Sequence, residues 1–169
     1  MPPYHRFRVD ASGRSPHDPD AFFDMLCDFG GVMKWFPKEN PPMFLSKVEL
    51  LPGHDDRQVP RIRLAFQDKS VLPEGAPDIV AETLLCADRA ARTFSYNLVG
   101  EPYGMRNYVC LIEIDENGDG GSIVHCSGRW DCADKDAGDA TAAMLADFYK
   151  RGIIGGISRY LDELRPVDA

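Results

Sequence analysis

A carboxylate in the middle of an apolar strand is the sequence's clearest chemical signal. Glu82 lies in Val80-Ala81-Glu82-Thr83-Leu84-Leu85-Cys86. Side chains alternate between faces along a strand, so Glu82 shares a face with Val80, Leu84 and Cys86. If that face is covered, the carboxylate needs a partner or water. Ala81, Thr83 and Leu85 can equally form the inner face, which leaves Glu82 in solvent. Lys34, beside Trp35, is the candidate partner. Tyr96, Tyr108, Tyr149 and Trp130 carry polar tips on apolar rings, which suits an apolar pocket with a few orienting hydrogen bonds. An ordinary core accounts for most of them equally well. As catalytic groups, Glu82 and Tyr108 are weak acid/base candidates and Lys34 a weak electrostatic stabiliser.

Other patterns say less. Asp115-Glu116-Asn117-Gly118-Asp119-Gly120 begins like a calcium loop, but position twelve is Cys126 instead of a bidentate Glu, so it reads as a hairpin turn. No G-x-S-x-G, H-E-x-x-H, phosphate loop or dinucleotide fingerprint occurs. His5, His17, His54 and His125 are scattered, and His125 reads as an outer-face strand residue. Cys27, Cys86, Cys110, Cys126 and Cys132 are odd in number and never spaced C-x-x-C, which reads as reduced thiols. No metal site and no cofactor is expected.

The chain has 169 residues and a net charge of -8, from 19 Lys plus Arg against 27 Asp plus Glu. That balance argues against a nucleic-acid binder, which needs a basic face, and against an anionic membrane surface as partner. No apolar run approaches the ~20 residues of a membrane span, and the N-terminus has no signal-peptide core. A cytoplasmic protein of one domain, residues 1–169, is expected.

These residues must be positioned by a strand, a helix, six strands and a last helix. His5, Phe7 and Val9 alternate with Arg6 and Arg8 in a first strand. Asp18-Pro19-Asp20 caps a helix that is expected to stop at Gly30-Gly31 in a left-handed cap. Strands are predicted over Phe44 to Leu51, ending at Pro52-Gly53, then Val59 to Phe66, Ile79 to Cys86, Thr93 to Val99, Tyr108 to Ile114 and Ser122 to Cys132. A long helix is predicted from Ala137 to Leu164. Gly152, Gly155 and Gly156 lie inside it, each costing about 1 kcal/mol against Ala. They imply either close contact with the sheet or room for a ligand. A curved sheet covered by one long helix is the economical packing, an α+β fold.

Three stretches carry a resemblance. Asp28-Phe29-Gly30-Gly31-Val32-Met33-Lys34-Trp35-Phe36-Pro37 is the first. The second runs through Glu82-Thr83-Leu84-Leu85-Cys86-Ala87-Asp88, Arg92-Thr93-Phe94-Ser95-Tyr96 and Asn107-Tyr108. The third is Ser127-Gly128-Arg129-Trp130 with Phe148-Tyr149-Lys150-Arg151-Gly152. In order and spacing they resemble the polyketide cyclase/START-like superfamily, the Bet v 1-like helix-grip proteins, from about Arg6 to Leu164. The resemblance implies a seven-stranded antiparallel sheet gripping the C-terminal helix, with short helices after the first strand and a cavity between. The ligand-binding set it implies is Lys34, Trp35, Phe36, Leu72, Pro73, Glu82, Leu84, Tyr96, Met105, Tyr108, Cys110, Trp130, Leu145, Tyr149 and Ile153.

A closer likeness is to the abscisic acid receptor branch. Ser70-Val71-Leu72-Pro73-Glu74 resembles its gate loop, and Tyr103-Gly104-Met105-Arg106-Asn107-Tyr108 stands at its latch. Lys34 matches the lysine that meets the ligand's carboxylate there, Glu82 a pocket glutamate and Tyr108 a pocket tyrosine. Cys110 replaces a pocket serine and Gly128 a second glutamate. The gate glycine is Val71 and the latch histidine and arginine are Tyr103 and Gly104, so a mobile lid is expected but a different ligand and no hormone signalling. The leading expectation is therefore a monomer or homodimer that binds a small apolar or amphipathic molecule, with Lys34 attracting an acidic or carbonyl group. A cyclase- or dehydratase-like enzyme using the same cavity is the alternative. An interaction module docking through Val71, Leu72, Tyr103 and Met105 is the third reading.

Overall fold

Asp18 caps the first helix as the sequence implies. In the computed structural model, which describes residues 3–38, 43–52 and 60–165, its carboxylate accepts from the amides of Asp20 and Ala21, and Pro19 fills the first helical position. This helix, α1 (Pro19–Cys27), follows strand β1 (His5–Ser15). It stops earlier than expected, and its C-cap is Asp28 rather than a left-handed glycine. Gly31 has φ -90°. It is small for another reason: a Cβ there would stand 2.0 Å from the Asp28 carboxylate. A short 3-10 turn, Val32–Lys34, comes next.

Six further strands follow: β2 (Leu45–Leu50), β3 (Arg61–Gln67), β4 (Ile79–Asp88), β5 (Thr93–Leu98), β6 (Arg106–Glu116) and β7 (Ser122–Cys132). Gly53, His54 and the expected strand start at Val59 lie outside the described residues. All pairings are antiparallel, and the order is β1-β7-β6-β5-β4-β3-β2. β1 runs to Ser15, well beyond its alternating apolar stretch, because β7 pairs with it over the full length, from His5↔Cys132 to Ser15↔Ser122. The β6–β7 turn closes with Gly118 and Gly120 at φ +77° and +88°, a conformation glycine adopts freely.

The long helix covers the concave face. It runs without a break as α2 (Lys135–Asp147), a π-helical stretch Phe148–Gly155, and α3 (Gly156–Glu163). Asp134 caps it by accepting from the Ala137 amide at 3.0 Å. The result is the helix-grip α+β fold. The helix end is tied down by buried His17, whose Nε2 lies 2.9 Å from Asp162 and whose carbonyl accepts from Ser122 Oγ. Among the described residues no helix is long and apolar enough to cross a membrane.

Candidate functional site

β3 reads Arg61-Ile62-Arg63-Leu64-Ala65-Phe66-Gln67, and hydrophobic alternation alone would turn Ile62, Leu64 and Phe66 inward. The fold does the reverse: Arg61, Arg63, Ala65 and Gln67 are the buried set. Register places Arg63 directly opposite Glu82 on β4. Arg63 Nε donates to Glu82, and Nη1 donates to the Phe29 carbonyl at 3.0 Å. The guanidinium carbon stands 4.0 Å from the centroid of the Phe29 ring and 5.5 Å from that of Tyr96, within cation–π reach. The side chains of Arg63 and Glu82 are only 9% and 15% exposed, so each charge depends on the other.

Glu82 thus faces inward, and its partner is Arg63 instead of Lys34. Lys34 is half-exposed and donates to Asp28 at 2.6 Å, a contact that raises the lysine's pKa. The face assignment along β4 also needs one correction. Val80 and Leu84 are buried with Glu82, but the register slips between Leu84 and Cys86, and Cys86 then pairs with outward Ser95. This β-bulge moves every later residue to the opposite face.

The ion pair lines a cavity whose other walls are mostly apolar: Val32, Phe44, Leu45, Val48, Val80, Leu98, Met105 and Leu145, with Gln67 and Tyr103 adding polar groups and Tyr96 and Tyr108 behind. About 50 Å³ of it accepts the centre of a water-sized sphere, against about 10–15 Å³ for one water and about 150 Å³ in a cavity that holds benzene. A second, wider cavity of about 310 Å³ lies outside, lined by Leu72, Pro73, Val71, Thr141, Asp147 and Arg151 among others. The two share Phe44, Tyr103 and Met144. Tyr103 donates from its hydroxyl to Gln67 Oε1 at 2.7 Å.

Behind the inner cavity is a ring of buried hydroxyls and a thiol. The Tyr108 and Tyr149 hydroxyl oxygens are 2.6 Å apart. Gly128 makes room for them, since a Cβ there would stand 2.1 Å from Tyr149 Oη. Burial holds Tyr96, Tyr108 and Tyr149 protonated well above the usual tyrosine range, and pushes the Cys110 thiol up to about 11.

Of the expected ligand set, the inner cavity brings together Glu82, Tyr96, Met105, Tyr108 and Leu145, and the outer one Leu72 and Pro73. Trp35, Phe36, Leu84, Cys110, Trp130, Tyr149 and Ile153 are buried but line neither. Met105, expected in an exposed docking loop, is 1% exposed, because its side chain packs into the core at the cavity wall. Sequence reasoning missed Arg63 and Gln67. The only signal for Arg63 was its charge opposite to that of Glu82 in the middle of an adjacent strand; Gln67, uncharged and at the end of β3, had none. Of the helix glycines, Gly156 answers to close packing, since a Cβ there would meet the Trp35 carbonyl at 2.5 Å, whereas one on Gly152 would meet the Phe148 ring of its own helix at 2.6 Å.

One other constellation does not make a site. On the convex face Ser12 Oγ lies 2.8 Å from His125 Nδ1, and Asp115 lies 3.5 Å from Nε2. The three are exposed on neighbouring strands, whose ladder pairing occupies backbone amides that would otherwise hold an oxyanion. Among the described residues no group of three or more His, Cys, Asp or Glu is placed to hold a metal ion.

Solved structures of this shape include a norcoclaurine synthase point mutant from Thalictrum flavum in complex with a transition-state analogue. It is 14% identical, with TM-score 0.71, over 98% of this chain and 100% of that one. A protein from Bacillus thuringiensis is 18% identical, with TM-score 0.68, over 92% of this chain and 100% of its own. One from Thermobifida fusca is 17% identical, with TM-score 0.66, over 94% and 95%. At these identities the likeness is one of fold. No curated protein matches the sequence. The sequence pattern of one family matches residues 6–160, nearly the whole described chain. The chain belongs to the polyketide cyclase/dehydrase and lipid transport family.

Proposed function

We propose that this protein binds a small amphipathic molecule with its polar group against Arg63 and Glu82 and its apolar part along the cavity wall. The observation that carries this reading is a charge pair turned inward into a mostly apolar cavity. A core built only for stability is served as well by apolar residues at both positions. Arg63 spends part of its donor fork on Glu82 and the Phe29 carbonyl, and further N–H groups remain for a guest.

The pair also sets the chemistry of the guest. Arg63 and Glu82 sum to no net charge, and Lys34 is engaged by Asp28 at the surface. A ligand carboxylate would lose its hydration beside Glu82. A neutral hydroxyl or carbonyl meets a donor on Arg63 and an acceptor on Glu82 at no such cost. Of the acidic or carbonyl group expected, this keeps the carbonyl and sets the acidic group aside. The likeness to the abscisic acid receptor branch remains a likeness, since its matching lysine stands outside the cavity.

In the enzymatic reading Arg63 takes the stabilising role expected of Lys34 and polarises a carbonyl. Tyr108, held protonated by burial, then serves as a hydrogen-bond donor rather than a base.

The test uses the neutral fluorophore N-phenyl-1-naphthylamine, displaced by 4-propylphenol or by 4-propylbenzoate. Saturable binding is expected, with the phenol competing at least about tenfold better than the benzoate. Glu82→Gln, checked for folding by circular dichroism, should narrow that preference. Equal competition by the anion, or no saturable signal, overturns the proposal.

A further inference from the structure

We infer that the inner and outer cavities are two compartments of one site, divided by the Tyr103 side chain, and that the ligand is an elongated amphipath occupying both. This rests on the reading above and adds the ligand's shape and the residue that admits it.

The inner compartment alone is too small. Its roughly 50 Å³ falls well short of the about 150 Å³ of a cavity that takes benzene. It has room for the polar end of a molecule and little more. The outer compartment, about 310 Å³, has the volume for a body, and its own ion pair, Arg151 with Asp147 at 2.9 Å, is far more open to solvent than Arg63 and Glu82. A molecule that fills both compartments, with its polar end at Arg63 and Glu82, passes between Phe44, Tyr103 and Met144.

Of these three, Tyr103 is the one built to move. Phe44 is wedged edge-on between two rings, 5.7 Å from Phe36 and 5.4 Å from Phe148. Met144 sits on α2, fixed at its backbone though supple in its side chain. Tyr103 is only half-buried, on the short turn Pro102–Gly104, and its φ is +57°, a left-handed conformation disfavoured for a residue with a side chain. Its polar tie across the partition is the 2.7 Å hydrogen bond to Gln67. Gln67 is itself buried and spends its amide nitrogen on the Ala65 carbonyl. When Tyr103 swings away, Gln67 Oε1 needs a new donor. A ligand that carries a hydroxyl or N–H at that depth supplies it, so the exchange selects for such a group.

The experiment has two arms on the full chain. The first measures displacement of N-phenyl-1-naphthylamine by 4-ethyl-, 4-butyl-, 4-hexyl- and 4-octylphenol. Affinity should keep rising along the series, by up to about fourfold per methylene. The second measures association rates by stopped flow for wild type, Tyr103→Phe and Tyr103→Ala. Removing the hydroxyl alone should speed entry about threefold, and removing the ring about tenfold or more. A plateau after the ethyl compound, or equal rates in all three proteins, overturns the two-compartment site. If the plateau occurs while phenols still outcompete benzoates, binding at Arg63 and Glu82 stands and only the partition falls. If no phenol binds even the Tyr103→Ala protein, both fall.

Discussion

Gly128 and Tyr149 show how one missing methyl group sets the depth of this site. Gly128 faces inward on β7, where a Cβ would overlap the Tyr149 hydroxyl at 2.1 Å. Both residues are fully enclosed, so neither side can yield cheaply. Gly128→Ala should therefore destabilise by about 1–3 kcal/mol. Tyr149→Phe removes the clashing oxygen but takes from Tyr108 its 2.6 Å hydroxyl partner and leaves it the Cys110 thiol, at a cost of about 0.5–1.5 kcal/mol. The double variant should be distinctly more stable than the sum of the two single losses implies, because the second change relieves the first. Urea denaturation of the four proteins measures the coupling, and strict additivity would refute the contact. At this scale the sequence reached Glu82, Tyr96 and Tyr108 through the family resemblance, since strand alternation fixes which residues share a face but left open which face of β4 turns inward. It did not yield Arg63 or Lys34's true place. An eleven-residue gap between β3 and β4 leaves their register open to any sequence reading, and no local pattern reveals that Lys34 turns to Asp28.

At the scale of elements, the strands were legible to within a few residues because their apolar alternation is bounded by turn chemistry. Two features were not. The bulge at Leu85 arises from the pairing of β4 with β5 rather than from β4's own residues, so period two fails beyond Leu84. The π-helical turn inside the last helix likewise has no signature in side-chain spacing. It delivers Phe148 to the cavity wall and Tyr149 to the ring of hydroxyls, while glycines let the helix press on its neighbours. Gly155 and Gly156 separate propensity from packing. Alanine is the better helix former by about 1 kcal/mol at either position. At Gly155 the Cβ would meet only its own helix's Lys150 carbonyl, at 3.2 Å; at Gly156 it would strike the Trp35 backbone carbonyl at 2.5 Å. That carbonyl is also held by Arg159 at 3.2 Å and cannot simply retreat. Gly155→Ala should stay close to wild type, whereas Gly156→Ala should lose about 1–2 kcal/mol net. Thermal melts that show the two variants alike would mean that the helix does not bear on the Val32–Lys34 turn as described.

For the whole molecule, the buried hydroxyls and thiol tie stability to pH on the alkaline side. Tyr96, Tyr108 and Tyr149 are pushed far above their ordinary pKa, chiefly by burial, and Cys110 is raised to about 11 for the same reason. In the unfolded chain these groups ionise at ordinary values, about 8.5 for Cys and about 10 for Tyr. The folded chain therefore holds protons that the unfolded chain has released, and stability must fall as pH rises. The contribution is fully present at neutral pH. It begins to be lost above about pH 8.5 through Cys110 and the likewise raised Cys126 and Cys27, and steepens above about pH 10, where each tyrosine adds a slope of about 1.4 kcal/mol per pH unit. The Cys110 contribution levels off near its folded value of about 11, whereas the tyrosine slope continues until the fold gives way. Urea midpoints between about pH 7 and about pH 11 should trace this curve. Tyrosinate absorbance recorded on the same samples provides the decisive comparison. The signal from Tyr96, Tyr108 and Tyr149 should appear together with loss of the fold, in one cooperative step. If it appears near the ordinary tyrosine pKa while the far-ultraviolet circular dichroism stays native, water reaches these hydroxyls. The enclosed polar wall behind the Arg63–Glu82 cavity would then be absent. Tyr103 should behave differently: half-buried and raised only to about 12, it is the one shifted tyrosine expected to ionise in contact with solvent if the fold persists that far.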